Sequence, residues 1–381
     1  MADYGVRIYH PDGSHFDFNE RSTVCRVLGS GEQGNRGGLA DLKDVSVYTF
    51  STGLRVPEGY DWWLWQSFNA NQNWGIATLG SRQAIGPSGS SVATPYLDDN
   101  RVINVRWDFT PSDQRIRGNY ISKLWQRPGG IYGAVAWPVS QSRDYGFQIY
   151  GVNNLAGVFD TSQVSYLMWK GETDIVNGWS PQNVHPGLSV NNCLCFFYTT
   201  DPNHIIGIDS DRRYRVWKNG RKADAVRAKV CIFGNGAPLS PLADYGMEVW
   251  SVQTGQRVYN SGRDVLIRPQ LVPMNAALRL EGNQIIYSPV RVPGIRRPMY
   301  APTNTGAGLG AGVAFNDRGD SMKTFYTWVS SDGYFLYQLP GGQQNPLEGA
   351  TYAGFIAYER PDFVHGVNPV MVINAEDYFV F

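Results

Sequence analysis

The sequence predicts a mostly β protein, with several β-sandwich or small-barrel-like domains, each opened by a similar β-hairpin. Three observations carry that prediction. A short pattern beginning Asp-Tyr-Gly recurs at Asp3, Asp144 and Asp244. Apolar and polar residues alternate with period 2 through many segments, which marks half-buried strands. The composition is rich in glycine (43), tyrosine (22) and tryptophan (12) and only 17% charged, which suits short strands joined by turns.

Each copy of the pattern reads as a hairpin. Asp3-Tyr4-Gly5, Asp144-Tyr145-Gly146 and Asp244-Tyr245-Gly246 precede Val6-Arg7-Ile8-Tyr9, Phe147-Gln148-Ile149-Tyr150 and Met247-Glu248-Val249-Trp250. A glycine turn is expected next, at Gly13, Gly157 and Gly255. A second apolar pair follows: Phe16 and Phe18, Val158 and Phe159, Val258 and Tyr259. A lone hairpin cannot bury its apolar face, so each copy is expected to open a β-rich unit of about 100–150 residues. Apolar runs ending in Pro/Ser/Gly connectors precede the second and third copies. They place the expected domains at 1–143, 144–243 and 244–381. The unequal spacing rules out a solenoid.

Further strands are expected at 45–50, 102–109, 164–169, 194–198, 214–217, 226–233, 284–287, 324–329, 334–337, 354–358 and 370–373. Asn219-Gly220, Asp332-Gly333, Pro128-Gly129-Gly130 and Pro340-Gly341-Gly342 read as turns. No long amphipathic helix is expected. The glycine-rich stretch 306–312 reads as a flexible loop or a place of close packing. The stretch 29–34 matches GxGxxG, but β-like sequence surrounds it where a dinucleotide fold needs a helix, so it reads as a surface loop and no cofactor is expected.

A formal net charge of zero argues against nucleic-acid binding, which needs a basic field to neutralise phosphates. No apolar run is long enough to span a bilayer, and strand-like sequence begins by Tyr4, where a secretory signal would stand. Cys25, Cys193, Cys195 and Cys231 lack zinc or redox spacing and read as buried thiols.

His10, His15, His185, His204 and His365 form no ligand pair, so no metal is expected. Asp201, Asp209 and Asp211 lie near His204 in sequence, and Asp209, Asp211 and His204 are the weak candidates for acid–base chemistry. Turn-capping aspartates beside a solvated Arg212-Arg213 pair are the favoured reading. No nucleophile elbow or Cys–His pair is found, and no catalytic residue is assigned.

The stretch 60–66 carries Trp62, Trp63 and Trp65, with Trp74 nearby. On a strand Trp63 and Trp65 share one face and Trp62 takes the other. Core packing with interface burial is the first reading, and stacking on sugar rings the second. Asn69, Asn71, Gln72 and Asn73 supply amides for the sugar reading.

The assembled hairpin resembles the opening of small tail-associated proteins of tailed bacteriophages, a family built on a domain of unknown function. The matching residues are Tyr4-Gly5-Val6-Arg7-Ile8-Tyr9 with Gly13, and the copies at Tyr145-Gly146 and Tyr245-Gly246. The first copy departs from the pattern, with Phe18-Asn19-Glu20 where Asp-Ser/Thr is expected. The resemblance implies a structural virion protein of the tail tip or baseplate, assembled in the host cytoplasm. It also implies other tail proteins as partners and a symmetric oligomer or ring, and it carries no catalytic residues. The alternatives are a tail-fibre protein that binds a host receptor or surface glycan, and an enzyme acting on polysaccharide.

Overall fold

The computed structural model describes residues 5–9, 15–19, 25–33, 47–79, 82–111, 115–116, 119–120, 129–138, 146–150, 155–159, 164–218, 221–235, 248–250, 255, 257–260, 262–266, 269–275, 277–281, 284–310, 323–344 and 362–381. They form separate antiparallel sheets, none closed into a barrel. Helix among them is confined to two 3-10 turns, Pro181–Asn183 and Ala375–Asp377.

Most of the expected strands form. They include Val47–Arg55, Val102–Pro111, Cys193–Tyr198, Tyr214–Lys218, Ala225–Gly234, Gln284–Tyr287, Lys323–Ser331 and Val370–Asn374. The strand expected at 354–358 lies outside the described residues. The one expected at 334–337 starts later, at Leu336, because Asp332 holds the preceding bend. Its Oδ1 accepts the Tyr334 and Phe335 N–H groups, both at 2.8 Å.

The largest sheet has six strands, in the order Tyr166–Val176, Ala225–Gly234, Cys193–Tyr198, Pro298–Tyr300, Val370–Asn374, Gln270–Val272. Cys193–Tyr198 is buried along its whole length, which its unbroken apolar sequence requires. Strands from 144–243 and from 244–381 thus lie in one sheet. The main core beneath them also takes in Cys25, Trp63 and Val135. The segments on either side of Ala243 share a sheet and a core. All four cysteines are buried and free.

A three-stranded sheet separates this core from a smaller one. Gly130–Pro138 is its central strand, flanked by Arg26–Gln33 and Tyr60–Gln66. Period 2 sends alternate side chains to opposite cores. Trp63, Trp65, Ile131 and Val135 enter the main core, while Leu64, Tyr132, Ala134 and Ala136 enter the smaller one.

The glycine-rich stretches correct the sequence reading. Residues 29–33 are strand, paired with 130–134, not a surface loop. A Cβ on Gly31 would stand 2.4 Å from the Tyr132 hydroxyl, so the glycine lets that ring cross the strand. Of the two readings of the stretch from 306, close packing holds and the loop does not: 306–310 is a strand between Lys323–Ser331 and Asp362–His365. A Cβ on Gly308 would stand 2.3 Å from the Phe325 ring. Pro340-Gly341-Gly342 also lies within a strand, Leu336–Gln344, where an irregularity in the register accommodates the proline.

Candidate functional site

The three repeated hairpins form as expected: Gly5–Tyr9 with His15–Asn19, Gly146–Tyr150 with Leu155–Phe159, and Glu248–Trp250 with Arg257–Asn260. In each, an aromatic residue closes the last pair before the turn: Tyr9 with His15, Tyr150 with Leu155, Trp250 with Arg257. Gly157, expected in the turn, stands in the second strand opposite Gln148, and residues 151–154 connect the strands. Gly5 and Gly146 begin their first strands, whereas Tyr4, Tyr145, Tyr245, Gly246 and Gly13 lie outside the described residues. Among the described residues, each hairpin is its own two-stranded sheet, with no third strand on either edge.

The third hairpin shows how such a unit is seated. Tyr259 is fully buried in the main core and stacks on Tyr166, with centroids 6.5 Å apart. Trp250 is 49% exposed. A shift in register brings Arg257 opposite Trp250, and the guanidinium lies 4.7 Å from the indole ring. Glu248 holds that guanidinium at 3.0 Å.

The tryptophan stretch is placed differently from its sugar-binding reading. Trp63 and Trp65 are buried, and the Trp63 indole N–H donates to the Pro369 carbonyl at 2.9 Å. Neither ring face is open to a sugar. Trp62 packs partly buried against the smaller core. Trp74 pairs with Pro87 in the strand Ala70–Leu79. Asn69 is also buried, and its amide donates to the Asn304 carbonyl.

That bond belongs to a buried polar seam absent from the sequence reading. Asn304 accepts from the Asn69 N–H at 3.0 Å and donates to the carbonyls of Gly306 and Thr327 at 3.0 and 3.2 Å. Gln338 donates to the Thr305 carbonyl at 3.0 Å and the Thr327 hydroxyl at 2.9 Å. Asn368 donates to Gln66 Oε1 at 2.6 Å. No pattern in the sequence marks these residues, because the seam unites segments more than 230 positions apart.

The His204 and Asp209/Asp211 candidates do not converge. They flank the strand His204–Ile208, roughly 16 Å apart at an extended rise. At the far end Asp209 caps the Ser210 N–H at 2.7 Å, and Asp211 caps the Arg213 N–H at 3.1 Å. Arg215 pairs with both carboxylates. These are the turn-capping aspartates that the local sequence favours. Among the described residues, no three His, Cys, Asp or Glu side chains gather to hold a metal.

The near end is basic. The antiparallel sheet His204–Ile208, Tyr214–Lys218, Arg221–Lys222 sets His204 opposite Lys218, and Lys218 opposite Arg221. Cross-strand partners share a face, so these residues form one row. Asp201 Oδ2 lies 2.8 Å from His204 Nδ1 and 3.7 Å from Lys218 Nζ. Burial alone would raise the Asp201 pKa. Hydrogen bonds from the Asn203 N–H and the His204 ring override it, and the carboxyl sits below its ordinary range. An open groove of about 680 Å³ lies over the row, with Lys222, Asp224 and Ala225 on its wall.

Residues 112–315 match a family of unknown function, DUF6453. The chain belongs to that family. The match takes in the second and third hairpins and the basic groove, whereas the first hairpin and the tryptophan strand precede it. The description of DUF6453 gives it no activity or partner. No match was found among curated proteins or among solved structures. No helix among the described residues is long and apolar enough to cross a membrane.

Proposed function

We propose that this DUF6453 protein is a structural component of a bacteriophage tail tip or baseplate, an adaptor that docks neighbouring subunits through its repeated hairpins. The supporting observation is the isolation of the hairpins. All three are two-stranded sheets, and each presents two unpaired edges among the described residues. A free edge offers backbone N–H and C=O groups to a strand of a neighbour, and alternate side chains then set specificity. Repeating the unit in one chain lets the same neighbour be met more than once, at a high effective concentration. The exposed Trp250, braced by Arg257, has the character of an interface anchor: a large rigid ring with its cation already in place.

Light scattering on the chromatographed protein, followed by electron microscopy of the particles that copurify with it, tests this reading. The expected result is a defined oligomer, or a ring with tail proteins, that dissociates in Trp250→Ala. A stable monomer at micromolar concentration, absent from assembled particles, would overturn it.

A further inference from the structure

We infer that the groove over the His204–Lys218–Arg221 row is a binding site for an acidic saccharide, a ligand rich in hydroxyls with about one carboxylate per ring. The argument starts from a cost. Like charges directly opposite each other across strands destabilise a sheet, and here Lys218 faces Arg221 at the closing pair of the hairpin. Asp201 compensates the His204 and Lys218 side of the row. Arg221 and Lys222 are exposed and form no ion pair among the described residues. At the opposite end of the same strand, Arg215 neutralises Asp209 and Asp211 from within the chain. Within this small sheet, the cations that lack a carboxylate partner among the described residues therefore stand at the groove.

The lining selects the ligand. Asp224 is on the wall, and Asp201 stands behind His204. The wall carboxylate of Asp224 opposes a densely charged polyphosphate or nucleic acid, but it accepts hydrogen bonds from hydroxyl groups. A ring carrying one carboxylate and several hydroxyls satisfies both signs at once. It would place its carboxylate on Arg221, whose planar fork suits a bidentate pair. Asp201 fixes the ring orientation of His204 by holding Nδ1 at 2.8 Å, which commits the other ring nitrogen, Nε2, to a different partner. The volume, about 680 Å³, lies within the usual range for small-ligand sites. Nucleic acid would need a longer basic track than three adjacent strands provide.

Titration calorimetry on the full chain with tri-galacturonate tests the site, with maltotriose, inorganic phosphate and a ten-nucleotide single-stranded DNA as comparison ligands. Tri-galacturonate is expected to bind, more weakly as salt is raised, and maltotriose and phosphate are expected not to. Arg221→Glu should weaken binding by at least about tenfold while leaving circular dichroism unchanged and the melting temperature equal or higher, since the side chain is exposed and a glutamate opposite Lys218 relieves the like-charge pair. His204→Gln, which removes the imidazole and keeps a polar group, should weaken it by a smaller factor. Absence of binding by the unmodified protein, equal affinity in Arg221→Glu, or equal affinity for maltotriose, phosphate or DNA would each overturn the inference. The oligomeric state in the same samples reads the tail-adaptor proposal separately, so the two fail independently.

Discussion

The tryptophan strand Tyr60–Gln66 and the small basic sheet around His204 differ in how far their covering layers extend. In the first, both faces are covered, so Trp63 and Trp65 enter one core and Leu64 the other. In the second, both faces pack along most of the strands, and the cations stand where that packing ends, at the hairpin. Ile205 on one face and Ile206 and Val216 on the other are buried, whereas Lys218 and Arg221, at the closing pair, are exposed. Sequence made the tryptophans the conspicuous candidates for binding, because exposed indoles make good anchors. Residue type alone does not decide availability; the layers on either side of the strand do. The residues left available are ordinary lysines and arginines whose significance comes from their register.

That contrast can be broken most forcefully at the core. Trp63→Ala removes a fully packed indole and its bond to Pro369, and is expected to cost about 3–5 kcal/mol in chemical denaturation. A loss below about 1 kcal/mol would mean that the strand is not enclosed as described. The next largest effect is expected at the polar seam. Asn304→Ala leaves the Asn69 N–H and the carbonyls of Gly306 and Thr327 without their shared partner, at about 2–3 kcal/mol. A double-mutant cycle with Asn69→Ala should show strong coupling, and additive losses would refute a shared seam.

The smallest expected effect sharpens the other side of the comparison. The folded-state pKa of Asp201 is depressed, so its contribution is present in full above the ordinary carboxylate range and disappears as pH falls through the folded value. Stability of the wild type measured from pH 7 down to pH 3 should therefore drop more steeply than that of Asp201→Asn. Superimposable acid limbs would show that the Asp201–His204 pair contributes nothing to folding.

Much of the fold was legible because period 2 and turn residues are local signals. The hairpins at Gly5, Gly146 and Glu248 form, as do the long strands Val102–Pro111 and Ala225–Gly234. The glycine stretches misled because glycine encodes both turns and close approach. Nothing near Gly308 announces that Phe325 will lie across it. The turn-capping role of Asp209 and Asp211 was legible, since those bonds span one or two residues. The basic row was not, because it exists only once His204, Lys218 and Arg221 are aligned on three strands. The sharing of one sheet by segments before and after Ala243 was hidden for the same reason.

The polar seam also imposes an order on synthesis. Gln66 and Asn69 leave the ribosome early, but their partners Thr303 and Asn304 lie some 235 residues downstream. At roughly 5–20 residues per second, that interval lasts on the order of 10–50 s. Throughout it, the tryptophan strand has its sheet neighbour Gly130–Pro138 but lacks its partners in the seam and part of its main core. The nascent chain thus carries this segment only partly covered until the seam residues at 303–304 and Pro369 are made, which makes the tryptophan strand a natural target for a holding chaperone during translation.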